Sequence, residues 1–268
     1  MNKIWLLFKF DLKINSKQII AWTVGLSGFM ALYMGLFDYI KEIGFAKLDA
    51  MPQEILQLFN ISSLNVMNDY TLFYGTMIGI ILVICSVFAS IFGANLVRNE
   101  EKTKSIEYKA SLNLSRSVIY LSKLLTLLTA ILIIVFFVNL TAIIVGEIGN
   151  YSTFDLLDTL LIAKYTSVIP FFFGFVSIGL AGMSYQISSP NISSGLVAIC
   201  YLGGYLTTFI EKDIADILKY ISPFQVFTAN EALTSDISVL LLGLVYFLVS
   251  LTIALTGCVI YSKRNLVI

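Results

Sequence analysis

Six apolar stretches, each long enough to cross a bilayer, occupy more than half of this chain of 268 residues. They fall at roughly 19–39, 71–96, 118–145, 159–183, 192–210 and 237–261. A helix needs about 20 apolar residues to span a hydrocarbon core roughly 30 Å thick. None of the six carries a central charge, which would cost about 2.5–3.5 kcal/mol there. The expected fold is an all-α polytopic membrane protein, and its function is one performed in or across a membrane. An apolar share of 58% against 13% charged residues agrees, since soluble domains are markedly more polar. With no net charge, the chain has no general attraction to nucleic acid.

The distribution of charge sets the orientation. Lys3, Lys9, Lys13 and Lys17 precede the first stretch. Arg98, Lys102, Lys104, Lys109 and Arg116 lie between the second and third, and Lys263 and Arg264 follow the last. Lys123, just inside the third stretch, is expected to snorkel back to the same side. The opposite loops hold only Lys41, Lys47, Lys212 and Lys219 but collect most of the acids, among them Asp38, Asp69, Glu147 and Asp155. The positive-inside rule then puts both termini and the 97–117 loop in the cytoplasm. An even number of spans independently requires the termini to share a side.

The amino-terminal segment does not read as a cleaved signal, because the apolar run after Lys17 is too long and no A-x-A-like site follows it. Residues 1–18 are expected to form an interfacial helix, with Lys9, Lys13, Ser16 and Lys17 on one face and Ile4, Trp5, Phe8 and Leu12 roughly opposite. Residues 8–14 also alternate apolar and polar as a strand would, but a lone strand beside a membrane has no pairing partner. Residues 19–268 form the transmembrane domain. Its outer segments are 40–70, where 52–61 is amphipathic and expected to be folded, and 211–236. The latter is broken at Ser222, Pro223 and Phe224, and its short re-entrant helices dip into the outer leaflet before the last span.

Catalytic and metal chemistry finds no constellation here. There is no histidine, which removes the usual proton relay and metal ligand. Cys85, Cys200 and Cys258 lie far apart within spans and read as small hydrophobes. No nucleotide-binding G-x-x-x-x-G-K-[ST] loop, hydrolase elbow or dinucleotide fingerprint occurs. The chain is not expected to be an enzyme by itself, nor to bind a metal or cofactor.

The single long basic loop is the most suggestive segment. Glu100 and Lys104 stand in the favourable i,i+4 order, Asn99 can cap a helix start, and Ser115 can cap the next helix. A short polar helix over 100–111 follows. Taken alone, it reads equally as a solvated connector.

On these residues the chain resembles the permease subunits of ABC transporters of the ABC-2 type, over nearly its whole length. The family's acidic stretch, Gly-Thr-Leu-Glu-like run, Leu-Pro-Val-Ser-Arg and following lysine correspond to Glu100, Glu101, then Ser105, Ile106, Glu107 and Tyr108, then Ser111, Leu112, Leu114, Ser115 and Arg116, and Lys123. Ser222, Pro223 and Phe224 match a Ser-Pro-Phe before the last helix, and Tyr261, Ser262, Lys263, Arg264, Asn265 and Leu266 match a closing aromatic–basic–Asp-Leu signature. Lys104, Asn113 and Asn265 depart from the usual Gly, Pro and Asp.

The resemblance implies a half-transporter in a bacterial cytoplasmic membrane. It pairs with a second permease copy, identical or related, and receives a separate cytoplasmic ABC ATPase that binds ATP and Mg2+. Helix 100–111 would dock in a groove of that ATPase, with Glu100, Glu101, Lys104, Ser105, Tyr108 and Arg116 as coupling residues. It would drive export of an amphipathic substrate, a toxic or antimicrobial peptide or a drug. Gly25, Gly28 and Gly203 are candidates for the dimer contact, although glycines in spans also serve packing within one subunit. Asn139, Lys164 and Phe172 are candidates for the translocation path. Asn139 reads equally as an interhelical hydrogen bond, Lys164 as a snorkelling cation, and Phe172 as bulk facing lipid. The alternative is a membrane protein independent of any ATPase, either a secondary transporter or a sensor or immunity protein.

Overall fold

The structure is a computed structural model and describes residues 3–48, 68–103, 114–186, 189–206, 220, 222–233 and 237–264. Its regular structure, among the described residues, is entirely helical. In chain order the helices are α1 (Lys3–Gly35), α2 (Phe37–Leu48), α3 (Tyr70–Lys102), α4 (Arg116–Gly149) and α5 (Leu156–Thr166). They continue with α6 (Val168–Met183), α7 (Pro190–Leu206), α8 (Pro223–Val226), α9 (Ala229–Leu233) and α10 (Ile237–Lys263).

Five of these units have the length and apolarity to cross a membrane: α1, α3, α4, the α5–α6 pair and α10. The fifth apolar stretch forms α7, 17 residues long within the described part of the chain. The chain is thus an all-α polytopic membrane protein. The amphipathic 52–61 segment and most of 207–221 lie outside the described residues.

Two boundaries differ from those expected. Residues 3–18 are not a separate interfacial helix: α1 runs unbroken into the first span. No glycine or proline interrupts it before Gly25, so the backbone has no reason to stop where the side chains turn from charged to apolar. The second span likewise continues beyond Leu96 to Lys102, where Thr103 closes the helix and donates its amide to Asn99 O. Glu100 and Glu101 therefore form the last turn of α3 rather than the first turn of a separate helix. Residues 104–113 lie outside the described part.

Caps follow local chemistry elsewhere. Asp69 accepts from the Leu72 amide at the start of α3, and Ser115 from the Val118 amide at the start of α4. Asn150 ends α4 in the left-handed region at φ 48°, a conformation asparagine tolerates better than most residues. Asp155 caps α5 by accepting from the Leu157 and Asp158 amides. The fourth span breaks into α5 and α6 at Ser167. Pro170 has no amide hydrogen for Thr166 O, which accounts for the kink.

α3 and the α5–α6 pair are the most buried of the membrane-length helices; α1 and α10 are the least. α1 packs along α4, α6 lies against both α3 and α10, and α7 covers another side of α3. The α6–α10 crossing depends on small residues. A Cβ added at Gly182 would stand 2.7 Å from Gly257 O, and one at Gly179 would stand 2.7 Å from Ile253 O. Such contacts let backbones approach where lipid supplies no hydrophobic drive. At the seam the Tyr120 hydroxyl lies 3.0 Å from Ile178 O and 2.9 Å from Ala254 O. At the end of α4 an aromatic cluster of Phe37, Tyr70, Tyr151 and Phe154 joins α2, α3 and the α4–α5 loop. Burial, and after it the Asp38 carboxylate, raises the Tyr151 phenol above its usual value.

Candidate functional site

The opposite end of the bundle, where α1 begins and α3 and α10 finish, concentrates buried charge. Lys123, about two turns into α4, is 2% exposed and forms an ion pair with Glu100 in the last turn of α3. Its neighbour Glu101 is equally buried and pairs with the Arg264 guanidinium just after α10. The carbonyl of Arg264 in turn accepts from Arg116 Nη1 at 2.7 Å, at the first residue of α4. The Arg264 guanidinium also lies 5.3 Å from the Tyr261 ring. From α1, Asp11, itself 5% exposed, accepts from the Ser122 hydroxyl at 3.3 Å. Four helices are thereby tied together at the root of the 104–113 segment. Removing one partner of such a pair leaves an uncompensated buried charge, which is far costlier than the pair itself is stabilising.

Beside this cluster lies a cavity of about 530 Å³ between the early turns of α1 and the end of α3. Leu7, Phe10, Phe92 and Leu96 line it together with Asp11, Glu100 and Lys123. Its volume falls within the range of small-molecule sites, roughly 300–1,000 Å³. Half-open apolar walls and a few convergent polar groups are also what such sites offer.

The residues singled out in the sequence separate into distinct places. Glu100, Glu101 and Arg116 are brought together in the buried cluster. Lys104, Ser105 and Tyr108 lie outside the described residues. Lys123 does not snorkel outward, because Glu100 offers a counter-charge inside the bundle. Gly25, Gly28 and Gly203 are exposed, and a Cβ added to any of them meets nothing within 4 Å. Asn139 holds α3 to α4: its Oδ1 accepts from the Tyr74 hydroxyl at 2.6 Å, and its Nδ2 donates to Val135 O at 2.8 Å. Lys164 is exposed, its ammonium 5.7 Å from the Tyr165 ring centre. Phe172 is half-buried and packs edge-on against Phe173 and Tyr246.

Asp11 and Arg264 were not among the candidate site residues. The signal for Asp11 was present: it is the sole acid before Asp38, set among four lysines. Arg264 stood in the closing motif, but nothing local connects it to Glu101, 163 residues earlier.

Fold and cluster together define a multi-pass helical membrane protein with a charged, internally bonded end and a cavity opening beside it. Residues 8–261 match the family described as multidrug efflux system permease Rv1217c, C-terminal domain, and the chain belongs to that family. It is therefore a transport protein of an efflux permease family. Among curated proteins, none matches the chain significantly.

Proposed function

We propose that this chain is the permease half of an ABC exporter of the ABC-2 type, coupling ATP hydrolysis by a separate subunit to export of an amphipathic drug or peptide. The observation that carries this reading is the buried ionic cluster at the root of the 104–113 loop. Force applied to that loop reaches α3 through Glu100 and Glu101, α4 through Arg116 and Lys123, and α10 through Arg264. A loop so rooted can shift three membrane helices as one body, as a power-stroke acceptor must. The efflux permease family supports the transport half of the reading. The energy half rests on the sequence, which has neither a nucleotide-binding loop nor acids at mid-span of the kind used in ion coupling.

In this arrangement both termini and the cluster face the cytoplasm of a bacterial cell, and ATP and Mg2+ belong to the ATPase. Tyr108 is the best anchor for the ATPase groove, as an aromatic with a polar tip. Glu100, Glu101 and Arg116 act behind it, holding the loop's root. A second permease copy lies along the open glycine faces of α1 and α7. The test is affinity purification of the tagged chain from its native membrane. An ATP-hydrolysing subunit should accompany it, and Tyr108→Ala should weaken that association while leaving membrane insertion unchanged. Transport sustained with no associated ATPase would refute the reading in favour of an ATPase-independent protein.

A further inference from the structure

Four carboxamides line the cavity beside the ionic cluster: Asn15 and Gln18 on α1, Asn95 and Asn99 on α3. The pairs stand at i,i+3 and i,i+4, so each shares one helix face, and both faces border the same space. Asn95 is the most informative of them. It lies within the second apolar stretch of the sequence and is half-buried, and a polar side chain inside a span marks function more often than packing. The other polar groups of the lining are engaged within the protein. Lys123 pairs with Glu100, Asp11 accepts from the Ser122 hydroxyl, and the Thr103 hydroxyl donates to Asn99 O at 2.7 Å. Asn15 uses part of its amide to donate to Asp11 O, also at 2.7 Å. Among the described residues, the side chains of Gln18, Asn95 and Asn99 find no hydrogen-bond partner. A carboxamide offers two donors and an acceptor, and covering it with apolar surface without answering them is costly.

We infer that this cavity binds apolar molecules of small-molecule size that carry a carboxamide or peptide group, with Gln18 and Asn95 as the residues that select them. An amide is the complement of a carboxamide, since each donates to the other's oxygen and accepts from the other's nitrogen. Gln18 and Asn95 stand on opposite walls, so one amide group held between α1 and α3 can answer both. The apolar body of such a ligand is matched by Leu6, Ile14, Phe92 and Leu96. Leu6 and Ile14 are 53% and 62% exposed, which leaves the entrance open to a ligand arriving from the bilayer. A ligand that lacks the N–H fills the same apolar walls but leaves the carboxamide oxygens unanswered. Selection is therefore by hydrogen-bond donor.

That the occupant is cargo rests on the export reading above; the binding itself does not. The experiment therefore uses the full chain alone, without ATPase, in phosphatidylcholine nanodiscs. Pyrenecarboxamide and acetylpyrene have the same shape and the same carbonyl, and differ by an NH2 replaced with CH3. Energy transfer from Trp5 and Trp22 on α1 to the pyrene reads binding, with the non-saturable transfer from probe dissolved in lipid subtracted. Saturable binding of the amide, about tenfold tighter than the ketone, is expected, as roughly one added hydrogen bond gives. Gln18 is exposed, so Gln18→Leu does not put folding at stake. It and Asn95→Leu should each cut the preference to about threefold or less while leaving ketone binding within about twofold of the parent. A preference unchanged in Gln18→Leu or in a folded Asn95→Leu would overturn the assignment, as would equal binding of the two probes or no saturable signal from either. Failure here leaves the export reading standing, since copurification tests that separately.

Discussion

At the scale of single residues, the Lys123–Glu100 pair decides how the charged end behaves. Both side chains lie almost wholly inside the bundle, at 2% and 11% exposure. A surface pair contributes little, typically about 0–1 kcal/mol, but a buried one behaves asymmetrically. Lys123→Met removes the ammonium buried beside Glu100 and should cost about 3–5 kcal/mol of stability. The double variant Lys123→Met with Glu100→Gln should regain most of that loss, because no uncompensated charge then stays buried. Thermal unfolding in detergent, followed by tryptophan fluorescence of Trp5 and Trp22, measures both. A single variant as stable as the parent would mean that the two side chains are solvated and not paired. The same logic revises the part played by Glu101. Its carboxylate is committed to Arg264 inside the protein, so Glu101→Lys should destabilise the fold by placing two cations together before it alters any docking contact. These pairings were only half legible in the sequence. Residue types and motif spacing marked Glu100, Arg116 and Lys123, but the choice of partner depends on which helix ends meet, and separations of 23 and 163 residues leave no local trace.

At the scale of elements, hydropathy marked the apolar helices, five of which are long enough to cross a membrane, but not where each helix ends. It reports which stretch of a helix sits in lipid, whereas a helix ends only where caps, glycine, proline or a lack of packing end it. α1 shows the difference. At 33 residues it is about 50 Å long, against a hydrocarbon core of roughly 30 Å. Its first turns therefore project beyond the membrane as part of one rod, and they form a wall of the cavity. The face of residues 3–18 that packs on the bundle carries Leu7 and Asp11, whereas Trp5 on the expected apolar face is half exposed. The glycines were legible as close-approach residues, yet their sorting was not. Gly179, Gly182 and Gly257 meet backbone from another helix, while Gly25, Gly28 and Gly203 meet nothing. Gly257→Val should therefore force α6 and α10 apart at Gly179, where an added Cβ stands 2.5 Å from the Gly179 carbonyl, and cost about 1–3 kcal/mol. Gly25→Leu should leave the stability of the separate subunit unchanged. A thermal comparison of the two variants checks the sorting, and equal losses would contradict it.

At the scale of the whole molecule, both ends of the chain converge. Asp11 meets Ser122, the adjacent Lys123 meets Glu100, and Arg264 meets Glu101 and Arg116. The early turns of α1, the end of α3, the start of α4 and the carboxyl end of α10 thus share one end of the bundle. Which side of the membrane that end faces follows from charge. Lys3, Lys9, Lys13 and Lys17, the bases of 98–116, and Lys263 with Arg264 all belong to it, and the opposite end is mainly acidic. Cytoplasmic segments retain lysine and arginine, so the cluster should face inward, on the side where an ATPase has access to the chain between α3 and α4. Single-cysteine labelling tests this directly. In a background with Cys85, Cys200 and Cys258 replaced by alanine, Lys3→Cys, Lys263→Cys and Ser152→Cys each place a thiol at an exposed position. On intact cells a membrane-impermeant maleimide should modify only Ser152→Cys, in the α4–α5 loop. The other two should label only after the membrane is opened. The reverse pattern would place the charged end outside the cell and remove any access for an ATPase, and export driven from that loop would then be untenable.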